Sequence, residues 1–329
     1  MRICSWLGIV GLIGLLAAAG CKDRGSTPSA GAKITFQLNW KPEAEFGGFY
    51  AAAQVGAFRR HGLDVEIAPG GSGTPTVQMV GSGTVDFALV SADELIVARA
   101  RGNPVVALFA VYQTCPQGIM VHASRGLKSL PRLLQSDGTL AIQRGLPYAE
   151  FLEKKYGFGR LKIVPAPNGD ISLFLHNPGF AQQCFITSEP IQAKRAGSDP
   201  RTFLIADAGY NPYTTVLVTR DDYLQAHAQT ARAMVLACRE GWRAYLDDPR
   251  AADALMQKLN PTLDGEVLSA SAEAQRSLIE TTQTNQHGLG AMTADRWKTL
   301  ADQLMELKVI DSAVPAERYF ADLDSPAGK

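Results

Sequence analysis

The 329-residue chain has no excess charge of either sign. Lysine and arginine total 32 residues, and aspartate and glutamate also total 32. Proteins that attach to nucleic acid or to anionic membranes through charge carry a basic excess. We therefore expect neither of these partners, and the balance favours a small molecule or another protein.

Cysteine is scarce, with five residues in the whole chain. Two lie close to the N-terminus, and Cys115, Cys184 and Cys238 remain for the folded part. No C-x-x-C pair and no His/Cys spacing typical of zinc is present, so no metal and no cofactor is predicted. The three thiols allow one disulfide and a spare thiol, or no disulfide, and scattered buried cysteines are favoured.

The common catalytic signatures are also missing. No Ser/His/Asp arrangement and no paired-carboxylate pattern is found, and we expect at least one of Glu43 and Glu45 on a solvated rim of their turn. The glycine-rich stretch 69–75 lacks the Gly-Lys-Ser/Thr of a P-loop. We predict no catalytic residue, and therefore a binding protein.

The N-terminal apolar run, residues 9–16, is shorter than the roughly 20 residues that a spanning helix needs. It follows Arg2 and precedes Ala18-Ala19-Gly20-Cys21, so residues 1–21 are predicted to be a signal peptide. This ending resembles a bacterial lipobox, in which Cys21 is lipidated and becomes the new N-terminus. Residues 22–32 then form a flexible tether, and we expect a lipid-anchored protein in the periplasm or at the cell surface.

The rest of the chain alternates predicted strands with helices, which indicates an α/β fold with mostly parallel sheets. Stretches 113–117 and 207–213 interrupt this pattern and are predicted to cross between two domains. Trp242 and Trp297 fall on predicted helices and are expected in the core. The predicted strands are 34–38, 63–67, 85–90, 105–112, 119–122, 139–142, 161–164, 184–186, 203–205 and 215–218, and the predicted C-terminal helices are 228–245, 249–259, 265–281 and 293–307.

Residues 38–50, LNWKPEAEFGGFY, are the predicted front wall of a ligand pocket. A strand runs into a polar, aromatic, glycine-containing turn and then into a helix of small residues, which is a usual way for an α/β protein to present a pocket. Ser91 opens a predicted helix in a capping box with Glu94. The candidate ligand-binding residues are Asn39, Trp40, Glu45, Tyr50, Ser91, Tyr112, Glu189, Tyr210 and Tyr213.

Five stretches resemble a known group of substrate-binding proteins of ABC transporters, the group that includes the yeast thiamine-pyrimidine synthase (SsuA/THI5-like, NMT1). They are residues 38–50, 62–67, 83–88, 102–107 and 188–190. The resemblance implies a type II periplasmic-binding-protein fold, with two α/β lobes joined by two crossover segments. The first lobe would combine residues 33–114 with 212–329, and the second would hold residues 115–211.

The resemblance also implies a ligand. Asn39-Trp40 and Glu189 stand at motifs that hold a planar aminopyrimidine in the pyrimidine-binding relatives, and an indole face with a carboxylate suits such a ring. The same groups would hold a flavin, and residues 42–50 look more like the branch associated with riboflavin uptake. We expect a monomer that passes a planar N-heterocycle to an ABC permease and its ATPase.

Two alternatives stay open. A binder of sulfonate, taurine or nitrate would need donors such as the loop 70–74 and Arg144. A pyrimidine-synthase-like enzyme is the alternative from another class, although the chain lacks the clustered cysteines of the eukaryotic synthase.

Overall fold

The computed structural model describes residues 33–323. The predicted signal peptide, Cys21 and the tether 22–32 lie outside them. The strands are β1 Ile34–Gln37, β2 Val65–Ala68, β3 Phe87–Val90, β4 Val105–Tyr112, β5 Gln117–His122, β6 Thr139–Ala141, β7 Lys162–Val164, β8 Phe180–Phe185, β9 Pro200–Leu204 and β10 Thr214–Arg220.

Helices of very different lengths connect and cover these strands. The α-helices are α1 Gly47–Gln54, α2 Ala57–Arg60, α3 Thr76–Gly81, α4 Ala92–Ala100, α5 Leu130–Leu134, α6 Pro147–Tyr156, α7 Ser172–His176, α8 Glu189–Arg195, α9 Asp221–Ala226, α10 Ala228–Asp247, α11 Arg250–Leu259, α12 Gly265–Ile279, α13 Thr282–His287 and α14 Ala294–Glu306.

The strands form two five-stranded sheets. The first has the order β2-β1-β3-β10-β4, and the second has the order β7-β6-β8-β5-β9. In the first sheet β10 runs antiparallel to β3 and β4, and in the second β5 runs antiparallel to β8 and β9. In each sheet the other four strands run in one direction, so the prediction of mostly parallel sheets is confirmed. The exceptions, β5 and β10, are the strands that follow the two crossings.

Strand β8 begins earlier than the sequence pattern predicts. The predicted strand covered residues 184–186, whereas β8 spans Phe180–Phe185 and pairs with both β6 and β5. The sequence pattern does not predict the first part of β8, because a buried strand is normally a run of apolar residues and this one contains Gln182 and Gln183. Gln182 is nevertheless buried, and its amide donates to the carbonyl of Asp170 at 3.3 Å.

The chain crosses between the sheets twice, after β4 and before β10. One guanidinium holds both crossings, because Arg296 on α14 donates from Nε to the Asn211 carbonyl at 3.0 Å and also to the Gln113 carbonyl. Its plane lies 3.9 Å from the ring centroid of Tyr213. The Asn211 side chain also accepts a hydrogen bond from the Cys115 backbone N–H at 2.8 Å, so the crossings are tied directly as well.

Helices α1 and α10 pack against each other at very short range. In α1, a Cβ atom added to Gly48 would lie 2.1 Å from the Trp242 ring of α10. In α10, a Cβ added to Gly241 would lie 2.3 Å from the Gly48 carbonyl oxygen. Trp242 and Trp297 are both fully buried, which confirms their predicted core positions.

Cys115, Cys184 and Cys238 are all buried and free, so the alternative without a disulfide is confirmed. Burial raises the pKa of Cys115 to about 11, which keeps this thiol protonated at neutral pH. Within residues 33–323, no helix combines the length and the apolar character that a membrane crossing requires.

We predict that Gly241→Ala destabilises the fold even though alanine favours helices. The new methyl group meets the backbone of α1, and overpacking of this kind costs about 1–3 kcal/mol, which exceeds the roughly 1 kcal/mol gained in helix propensity. Thermal or urea unfolding measures the difference. Gly71→Ala is the control, because nothing lies within 4 Å of its added Cβ. Equal stability of the two variants would contradict the close contact.

Candidate functional site

A cavity of about 780 Å³ lies between the two sheets. Its walls come from the segments that follow strands of both sheets, such as Trp40 after β1, Ser91 after β3, Gln143 after β6 and Thr187 after β8. In α/β proteins ligands bind beyond the carboxyl ends of such strands. The volume falls within the 300–1,000 Å³ range of small-molecule sites.

The loop that carries Trp40 is fixed by its neighbours. The Gly70 N–H donates to the Trp40 carbonyl at 2.9 Å, and a Cβ on Gly70 would lie 2.3 Å from the Leu38 carbonyl oxygen. Gln37 donates its side-chain amide to the carbonyl of Leu38 at 2.9 Å and to that of Pro69 at 3.1 Å. The glycine-rich loop therefore supports the Trp40 segment, which requires a residue without a side chain at position 70.

Buried amides from the C-terminal helices hold the next part of the wall. Asn260 donates to the Pro42 carbonyl at 3.0 Å, and Gln275 donates to the Ala44 carbonyl at 3.1 Å. Gln275 also accepts a hydrogen bond from the Tyr112 hydroxyl at 2.7 Å. These contacts fix the short 3₁₀-helix Ala44–Phe46, from which Glu45 reaches the cavity.

The second sheet contributes the opposite wall. Glu189 is the first residue of α8, and its Oε2 accepts the Phe185 backbone N–H at 2.8 Å. Gln183 on β8 accepts the Gln143 backbone N–H at 2.6 Å and also the hydroxyl proton of Tyr148. Both Gln183 and Tyr148 line the cavity, so this wall is polar and already well hydrogen-bonded.

A buried network around Asp93 closes a third side. The Tyr210 hydroxyl donates to Asp93 Oδ2 at 2.8 Å, and the Glu94 backbone N–H donates to Oδ1 at 3.0 Å. Ser91 donates its hydroxyl to the same carboxylate, and its own N–H donates to Glu94 at 2.8 Å as the capping box predicts. This network joins α4 to the second crossing at the edge of the cavity.

Four carboxyl groups at the cavity have raised pKa values, and for Glu94 the first cause is burial. Burial raises the pKa of Glu43 to about 8, with a further rise from the charge of Glu189 and an opposing effect from Lys41. The pKa of Glu45 is well above its usual range because of burial and then of Glu43 and Glu189. Burial also raises the pKa of Glu189, whereas the backbone N–H groups that donate to its carboxylate lower it. Glu45 is only 9% exposed and does not lie on a solvated rim, whereas Glu43 is half-buried, so the expected rim position stays a prediction for Glu43.

The structure brings six of the nine candidate residues to the cavity wall. They are Asn39, Trp40, Glu45, Ser91, Glu189 and Tyr210. Within the described chain, the buried Oδ1 of Asn39 has no hydrogen-bond partner, so this acceptor is open to a ligand.

Tyr50, Tyr112 and Tyr213 do not line the cavity. Tyr50 and Tyr112 are buried in the core between the first sheet and the C-terminal helices, because α1 turns Tyr50 inward and every residue of β4 is buried. Tyr213 lies under Arg296, and its hydroxyl accepts the Thr293 N–H at 3.1 Å. The structure corrects the placement of these three aromatic rings, which serve as packing groups.

Sequence reasoning missed Asp93, Tyr148 and Gln183. Asp93 was hidden within a capping box, where an acidic residue has a structural explanation already. Gln183 was hidden because β8 was placed too late. Tyr148 follows Pro147 at the first turn of α6, and this proline was the one signal that could have located the helix start.

The groups proposed for an anion lie elsewhere. Neither the loop 70–74 nor Arg144 is among the residues of the cavity wall. Arg144 is exposed and pairs with Glu153 at 2.9 Å. Arg195 does reach the wall, but it pairs with Asp264 at 3.1 Å and with Glu266.

Comparison with known proteins identifies relatives along nearly the whole chain. A formylaminopyrimidine-binding protein from Halalkalibacterium halodurans is 24% identical over 95% of this chain and 97% of its own length. Riboflavin-binding protein RibY from Chloroflexus aurantiacus is 21% identical over 90% of this chain and 87% of its own. The 4-amino-5-hydroxymethyl-2-methylpyrimidine phosphate synthase THI11 of Saccharomyces cerevisiae is 30% identical over 66% of this chain and 68% of its own.

The fold also matches a solved structure. The periplasmic aliphatic sulphonate binding protein SsuA from Escherichia coli superposes with a TM-score of 0.67 over 90% of this chain and 94% of its own, at 14% sequence identity. This likeness confirms the predicted periplasmic-binding-protein fold. The model of the family described as NMT1/THI5 like matches residues 43–252, and the chain belongs to this NMT1/THI5-like family.

Proposed function

We propose that this protein is the solute-binding component of an ABC importer and that it captures a planar N-heterocycle between its two sheets. The observation that carries the proposal is the cavity itself, with Trp40 on one wall and Glu189 on the other. An indole stacks on a flat ring, and a carboxylate pairs with a ring N–H and an exocyclic amine. The names of two relatives that align along nearly the whole chain support binding over catalysis.

The ligand-bound state requires motion in this proposal. Residues 33–114 and 212–323 form one lobe and residues 115–211 the other, and they close by a hinge at the two crossings. Closure would bring Trp40 and Glu189 onto opposite faces or edges of the same ring. A permease and its ATPase would then accept the ligand from the closed form.

A pyrimidine and a flavin both suit this combination of side chains, and each is named in a relative. An anion such as a sulfonate suits it less. The cavity wall carries Glu43, Glu45 and Glu189, whereas its arginine is already paired. Opposite charge is what favours an anion at a protein site.

Titration calorimetry of residues 33–323 with an aminopyrimidine, riboflavin, taurine and nitrate tests the proposal. We expect heat and saturation with at least one heteroaromatic compound and none with the two anions. Binding of taurine or nitrate alone would replace the ligand class. A pyridoxal-phosphate Schiff-base absorbance, followed by product in the presence of iron, would instead favour the synthase-like alternative.

Trp40→Ala and Glu189→Gln should each weaken binding of the identified ligand. Loss of a stacking aromatic costs about 1–3 kcal/mol per ring, and loss of a charged hydrogen bond costs about 1.5–3 kcal/mol, so the dissociation constant should rise about fivefold or more in Trp40→Ala and about tenfold or more in Glu189→Gln. Glu273→Gln is the control for the second change, because Glu273 is exposed on α12 and outside the cavity wall. Unchanged affinity in Trp40→Ala would remove residues 38–50 from the site.

The lipid anchor at Cys21 is a separate part of the proposal. Lipidation of this residue would keep the protein at a membrane without a spanning helix. We expect the full-length wild type in the membrane fraction and Cys21→Ser in the soluble extracytoplasmic fraction. Retention of Cys21→Ser at the membrane would contradict lipidation at this residue.

A further inference from the structure

The cavity wall is strongly acidic. Its two cationic side chains are Lys41 and Arg195, and its six carboxyl groups are Glu43, Glu45, Asp93, Glu94, Glu189 and Asp264. Arg195 is neutralised by its pairs with Asp264 and Glu266. Lys41 is an exposed residue on the cavity rim, 6.0 Å from the centroid of the Trp40 ring.

Four of these carboxyl groups accept hydrogen bonds or pair with a cation within the described residues. Asp93 accepts the Tyr210 hydroxyl and a backbone N–H. Glu94 accepts the Ser91 N–H in the capping box. Asp264 pairs with Arg195 and caps α12 through two backbone N–H groups at 2.9 and 3.1 Å. Glu43 and Glu45 remain for a ligand, together with Glu189, whose Oε2 already accepts the Phe185 N–H at 2.8 Å.

Glu45 is the least compensated of the three. The residue is only 9% exposed, and its carboxyl group faces the cavity without a hydrogen bond or an ion pair to the described residues. The charged groups that act on it are Glu43, two positions earlier in the same loop, and Glu189, at the start of α8 in the other half of the molecule. A buried carboxylate without a donor or a cation is costly, so this arrangement needs a proton or a positively charged guest.

We propose that the ligand carries a positive charge and that Glu45, flanked by Glu43 and Glu189, is the residue that selects a cationic heterocycle over a neutral one. This inference rests on the proposed function, since it assigns the charge of the ligand for the same cavity. The ligand's ammonium or protonated ring nitrogen would take the place of the protons that the empty cluster holds. The planar body of the ligand would still stack on Trp40.

The proposal implies that binding releases protons. A bound cation stabilises the ionised form of the nearby carboxyl groups and so lowers their pKa values. Each carboxyl group that ionises on binding releases one proton to the buffer. The neighbouring thiols and phenols do not share this titration near neutral pH. Burial raises the pKa values of Tyr112, Cys115, Cys184, Tyr148 and Tyr210, so these groups stay neutral. An alkyl ammonium on the ligand stays charged up to about pH 10.

The experiment uses two matched probes, an aminopyrimidine with an aminomethyl substituent and the same ring with a hydroxymethyl substituent. The first is a cation near pH 7 and the second is neutral, whereas their sizes are similar. We expect the cation to bind about tenfold or more tightly, with an affinity that rises between about pH 6 and pH 8. Its binding enthalpy should differ between phosphate and Tris buffers, because released protons react with the buffer.

Two outcomes separate this inference from the proposed function. Equal affinity for the two probes, with the same enthalpy in both buffers, would overturn the charge assignment and leave the heterocycle-binding function standing. No binding of any heteroaromatic compound would overturn both. In Glu45→Gln the preference for the cation over the neutral probe and the number of released protons should both fall. Glu273→Gln should retain the wild-type preference.

Thermal unfolding without ligand gives a second test. A carboxyl group with a raised pKa in the folded state stabilises the fold below its usual pKa of 4.5, and this contribution is lost as the pH rises towards its folded pKa. Glu45→Gln cannot ionise, so it should melt at a higher temperature than the wild type near pH 8 and at a similar temperature near pH 4.5. A lower melting temperature near pH 8 would show that the Glu45 carboxylate has a stabilising partner and would overturn the proposal.

Discussion

The guanidinium of Arg296 is the interaction on which the arrangement of the two sheets depends. Each sheet is completed by a strand next to a crossing, so the chain must pass between them twice. Both passages expose carbonyl groups that strand pairing cannot satisfy, and buried carbonyls need donors. Arg296 supplies them to Gln113, Asn211 and Pro212 from a single rigid fork, and a lysine could not reproduce this planar geometry.

The cavity inherits its shape from backbone contacts on either side of these crossings. Gly70 lets a loop approach Leu38 and Trp40 closely, while Asn260 and Gln275 hold the carbonyls of the following turn. The indole and the acidic cluster are thus positioned by residues that do not touch the cavity themselves. Preorganisation of this kind reduces the ordering cost that a ligand must overcome on binding.

Local patterns predicted much of the fold and about half of the site. The α/β alternation, the crossings and the capping box at Ser91 are short-range features, and Trp40 and Glu189 followed from strand ends. The roles of the tyrosines could not be predicted in this way. The sequence does not show whether a side chain such as that of Tyr112 faces the core or the cavity. The electrostatic surroundings of Glu45 could not be predicted either. They depend partly on Glu189 at the start of α8, which is 144 positions away in the sequence.

The close contact between α1 and α10 has an optical consequence. Trp242 is enclosed between these helices, and Trp297 is fully buried beside Tyr213 of the second crossing, so neither indole reaches the cavity wall. Among residues 33–323, Trp40 is the tryptophan that lines the cavity. Under the proposed function, Trp40 is the indole that a bound ligand would contact, and its emission would report occupancy of the cavity.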